Sequence, residues 1–90
     1  MFFINTIRHD DQRCIGYFRF YSEAHDKVMR NCGDMFEDGY YKYACICKMG
    51  QGLYRSLIEV QWFEYDENTR TITTISKPEE LNDFQQYIIG

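Results

Sequence analysis

Large apolar side chains and polar breaks are most regularly spaced between Leu57 and Asp66, Leu-Ile-Glu-Val-Gln-Trp-Phe-Glu-Tyr-Asp. Glu59, Gln61 and Glu64 interrupt a run of strong β-formers, which predicts a central strand with one packed and one wet face. The rest of the chain reads as material arranged around it. Phe2 to Ile7 predicts a first strand, closed by the polar cluster His9-Asp10-Asp11-Gln12-Arg13. Cys14 to Phe20 predicts a second, close enough to form an antiparallel hairpin with the first. Gly16 inside it signals a bulge or the close approach of another backbone.

The period then changes from two to nearly four. Ala24, Val28 and Cys32 form one apolar stripe, widened by His25 and Met29. Ser22 is placed to cap the helix, Glu23 sits at its positive end, and Gly33 is placed to stop it. Asp34 to Gly39 is an acidic loop whose Met35 and Phe36 are expected to tuck under. Tyr40 to Lys48 predicts a third strand, with Tyr41, Tyr43, Cys45 and Cys47 on one face and Tyr40, Lys42, Ala44, Ile46 and Lys48 on the other. Met49 to Gly52 is a connection, and Leu53 to Ser56 carries no clear pattern.

After the central strand, Glu67-Asn68-Thr69 predicts a turn, and Arg70 to Ser76 an edge strand. Pro78 suits a first helical turn, followed by Glu79-Glu80 and by Leu81, Phe84 and Ile88 at helical spacing. Tyr87-Ile88-Ile89 could instead close the chain as a strand. The expected order is β-β-α-β-β-β-α. This is an α+β domain over residues 1–90: a mostly antiparallel sheet of four to five strands, with one or two short helices on one face.

Composition sharpens this picture in three places. Aromatic residues make up 18% of the 90 residues, more than so small a core can enclose, so some rings belong at a surface or an interface. The net charge is −4, against a general nucleic-acid binder. It is also uneven: residues 1–33 hold five basic and four acidic groups, residues 34–90 five basic and ten acidic. Finally, Met1-Phe2-Phe3-Ile4-Asn5 has no basic region or long apolar run, and no segment is long enough to span a bilayer. We therefore expect a cytoplasmic protein, no membrane, and four reduced thiols.

Candidate chemistry is sparse. Cys45-X-Cys47 places two sulfurs on one strand face, and Cys14 and Cys32 could join them around zinc. No Cys-X-X-Cys occurs and neither histidine lies at ligand spacing, so packed thiols without a metal are expected. His9 beside Asp10 and Asp11, and His25 beside Asp26, lack a nucleophile, and no phosphoesterase, hydrolase-elbow or Walker motif is present. A small enzyme using either histidine ranks third, and no cofactor is implied.

Gly50-Gln51-Gly52 could let backbone amides approach a phosphate, with Lys48 before it and Tyr54-Arg55 after it. The competing account is a solvated loop. For a nucleotide ligand the expected residues are Arg8, Arg19, Lys48, Tyr54 and Arg55, with Trp62 as a stacking ring. The acidic last third, including Glu64, Asp66 and Glu67, could instead meet a basic protein partner or serve only as a solubilising surface.

The segments Cys14-Ile15-Gly16-Tyr17-Phe18, Tyr43-Ala44-Cys45-Ile46, Gly52-Leu53-Tyr54, Gln61-Trp62-Phe63 and Lys77-Pro78-Glu79-Glu80-Leu81 resemble a group of small uncharacterised proteins of Clostridia-like bacteria and their prophages. The resemblance covers nearly the whole chain and brings no activity with it. It implies a phage setting, where compact proteins without catalytic motifs often act against host defence. The leading expectation is a non-catalytic binding protein that sequesters a nucleotide immune signal, in a homo-oligomer that encloses the ligand. The alternative is an inhibitor or adaptor that binds a protein.

Overall fold

The computed structural model describes residues 1–9, 11–50, 57–84 and 86. Among them, five strands and one α-helix form an α+β fold: β1 (Phe2–Arg8), β2 (Asp11–Phe18), α1 (Tyr21–Met29), β3 (Tyr43–Met49), β4 (Leu57–Asp66) and β5 (Thr71–Ile75). The strands pair antiparallel throughout, in the order β2-β1-β3-β4-β5. β4 has the bounds its pattern predicts, and β5 is its edge partner. The centre of the sheet is β3, however, with β1 and β4 on either side.

Two bulges set which side chains face which way. Ile4 pairs with Gly16 and Asn5 with Cys14, so Ile15 is the extra residue and the bulge that Gly16 signals is present. In β4, Ile46 pairs with Gln61 and Cys47 with Glu59, which leaves Val60 unmatched. That slip puts Glu59 and Trp62 on the same face although they are three residues apart.

Both faces of the sheet are packed, which corrects the expectation of a wet face on β4. On one face, Ile4, Ala44, Ile46, Phe63 and Tyr65 meet Ala24 and Val28 of α1, with Met35 and Phe36 tucked beneath. Phe36 stacks on Tyr65 with ring centroids 5.1 Å apart. On the other face, Ile7, Tyr43, Cys45, Cys47 and Trp62 lie under Leu81 and Phe84. The segment after β5 is thus a strap across the face opposite α1, not a second helix beside it. Its regular part is one 3-10 turn, Glu79–Leu81, after Pro78. Leu81 and Phe84 are three apart and anchor on the same aromatic patch, which a 3-10 turn satisfies without further helix. The alternative strand at residues 87–89 lies outside the described residues.

The helix is also shifted from its expected bounds. Phe20 occupies the N-cap position and no side chain caps the first turn, so Ser22 lies inside the helix instead of starting it. It ends earlier than Gly33 because Asn31 adopts the left-handed conformation, φ 45° and ψ 46°. Asparagine tolerates that region better than most residues. Gly33 falls in the 3-10 turn that follows.

Candidate functional site

A cavity opens at the end of the sheet where β1 stops and β3 starts. It has a volume of about 750 Å³, within the range of small-molecule sites. Arg8 ends β1, and His9 follows with φ 52°, a left-handed turn residue that sends the chain back into β2. Gly39, Tyr40 and Lys42 come from the approach to β3, and Tyr43 is its first residue. Glu80, Leu81, Asp83 and Phe84 of the strap line the same cavity.

Several contacts preset these side chains. The Arg8 guanidinium lies 4.3 Å from the centroid of the Tyr40 ring, a cation–π contact that orients it while leaving its N–H groups free to donate. Lys42 Nζ sits 5.3 Å from the Tyr43 ring centroid and 3.5 Å from Glu64 Oε2. Its pKa is raised, first by the hydrogen bond and charge of Tyr43 and then by Glu64. The Tyr43 hydroxyl donates to Glu80, fastening the strap to the sheet. Burial, then that acceptor, pushes the Tyr43 phenol up, so it stays protonated and keeps donating.

A second, smaller cavity of about 410 Å³ adjoins the first and shares Gly39 and Lys42 with it. Its character is acidic, from Glu64, Asp66 and Glu67.

Beneath the strap lies a polar cluster. Asn5 Nδ2 donates to Gln86 Oε1 at 3.0 Å, and Gln86 Nε2 donates to Glu59 Oε2 at 2.8 Å. Lys77 Nζ is 3.4 Å from the same Glu59 oxygen. Cys47 Sγ lies 3.2 Å from Gln86 Oε1 and 3.6 Å from Cys45 Sγ. The Cys45 contact and burial hold the Cys47 thiol far above its ordinary value, the opposite of what a nucleophile needs. The cluster fastens the end of the strap. All four cysteines are free thiols, and no metal-ligand group of three assembles among the described residues.

Of the expected nucleotide residues, those among the described residues do not come together. Arg8 lines the large groove. Lys48 and Phe18, the neighbour of Arg19, both pair with Phe2, at the far end of β1. Six residue-to-residue steps of strand lead from Phe2 to Arg8, about 20 Å. Tyr54 and Arg55 lie outside the described residues. Trp62 is 4% exposed and packed in the strap-side core, with Lys77 Nζ 5.9 Å from its ring, so it offers no open stacking face. His9 joins the groove, whereas His25 packs its ring against Tyr21 and Phe63. Sequence reasoning missed Tyr40, Lys42, Tyr43, Asp83 and Phe84 as site residues. The Tyr40-Tyr41-Lys42-Tyr43 run, dense in rings around a cation, was the available signal.

Comparison with family models, curated proteins and solved structures gives no match.

Proposed function

We propose that this chain is a non-catalytic binding protein that captures a nucleotide in the groove between the end of the sheet and the strap. One observation carries the reading. Arg8 and His9 line a cavity of about 750 Å³, and neither makes an ion pair with a carboxylate among the described residues. A guanidinium with open donors beside aromatic surface suits a phosphate joined to a planar base. In the prophage setting that the sequence resemblance implies, such capture would deprive a host defence system of its nucleotide signal. A second copy closing the open side would complete the enclosure.

Native mass spectrometry with a mixture of nucleoside monophosphates tests this and reads the oligomeric state at the same time. The expected result is an adduct on the wild-type protein that Arg8→Ala removes without a change in melting temperature. Lys48→Ala, at the far end of the sheet, should leave it in place. A wild-type protein that carries no nucleotide at millimolar concentration overturns the proposal.

The acidic cavity lined by Glu64, Asp66 and Glu67 favours a second reading, contact with a basic protein surface. Charge reversal at those three positions should then release a bound partner, while Arg8→Ala should not.

A further inference from the structure

Resting on that nucleotide reading, we infer that the groove selects guanine over the other bases. The sheet and strap residues that line it carry opposite charge and form no ion pair with each other among the described residues. The sheet side supplies Arg8 and Lys42, and the strap supplies Glu80 and Asp83. No ion pair crosses between them among the described residues: Lys42 turns to Glu64, and Glu80 accepts from Tyr43. Asp83 is exposed and engages no described side chain by hydrogen bond or ion pair. Opposite charges that line one groove without pairing fit a ligand that is anionic at one end and a hydrogen-bond donor at the other.

The strap end restricts the base. An ionised carboxylate only accepts hydrogen bonds. Guanine presents two adjacent donors, N1–H and the 2-amino group, which match the two oxygens of one carboxylate. Adenine and cytosine place a ring acceptor next to their amino group, so the second oxygen would face a lone pair. Uracil offers one N–H between two carbonyls. Phe84, half-buried beside Asp83, supplies a ring face for the base. Arg8, already oriented over Tyr40, takes the phosphate at the other end.

Titration calorimetry with GMP, IMP, AMP and UMP at one fixed salt concentration tests the assignment. GMP is expected to bind at least tenfold more tightly than the other three, IMP included because it lacks the 2-amino donor; a hydrogen bond to a charged group is commonly worth about ten- to hundredfold in affinity. Asp83→Asn should bring the four within a few-fold of one another, and Arg8→Ala should weaken all four alike. Glu80→Gln serves as the second carboxylate variant, with a smaller loss because Tyr43 already occupies that group. Equal binding of all four by the wild type, any base ahead of guanine, or a preference that survives Asp83→Asn overturns the selection while leaving nucleotide capture standing. No binding by any of the four overturns both.

Discussion

At the scale of single residues, two glycines with similar sequence prominence have opposite roles. Gly39 has φ +100°, a region that side chains rarely adopt, and a methyl group there would sit 3.0 Å from Glu67 Cβ and closer to its carboxylate. Gly16 has no atom within 4 Å of an added methyl. Gly39→Ala should therefore cost more than about 1 kcal/mol, whereas Gly16→Ala should be neutral or stabilising by up to about 1 kcal/mol, because glycine weakens a strand. Denaturant melts of both variants check this, and equal losses would contradict it. Tyr43 gives a pH dependence of defined sign. Its phenol is raised above the ordinary 10.0 by burial and by Glu80, so the protonated form favours the folded state. That contribution is complete below pH 10.0 and is lost as pH rises through the folded-state value. Stability should fall above pH 10.0, and Tyr43→Phe should flatten part of the fall while costing about 1 kcal/mol at neutral pH through the lost hydrogen bond. A variant with the wild-type slope would exclude Tyr43 as its source.

At the scale of elements, the strap is the feature on which most depends, and its length of regular structure says little about its importance. Leu81 is 3% exposed, and it covers a core that includes Cys45 and Cys47, both 0% exposed. Leu81→Ala should cost about 2 to 4 kcal/mol. It should also open both thiols to a labelling reagent under native conditions, where the wild-type protein labels at Cys14 and Cys32 first. Mass mapping of the labelled sites reads this directly, and labelling of Cys45 and Cys47 at the wild-type rate would separate the strap from their protection. The strands were legible because alternation reports burial locally: β4 has its predicted bounds, and the Ala44/Ile46 and Cys45/Cys47 faces of β3 are as the pattern assigns them. The strap was not, because Leu81 and Phe84 have a spacing that suits either helix type, and only the position of Trp62 and Cys45 decides which face they cover.

At the scale of the whole molecule, the candidate site shows what a linear pattern cannot carry. Arg8 and Lys48 looked like members of one basic group, yet antiparallel pairing sends them to opposite ends of the sheet. Arg8 instead meets Tyr40 and lines one groove with the strap, residues about thirty to seventy-five positions away in the chain. The same topology predicts how stability is distributed. β3 is hydrogen-bonded on both sides, and Tyr43 to Cys47 are buried in both layers at once, one against α1 and one against the strap. The outer sides of β2 and β5 have no strand partner among the described residues, and most of β5 is exposed. Amide exchange should therefore be slowest in β3, where opening requires loss of both layers, intermediate in β1 and β4, and fastest in β2 and β5, which can fray alone. A bound nucleotide should slow exchange further in the strap and at Arg8 and Tyr40, because it joins the sheet and strap residues that line the groove. If nucleotide instead protected Lys48 and Arg19, the ligand would lie at the other end of the sheet and the groove would lose its assignment.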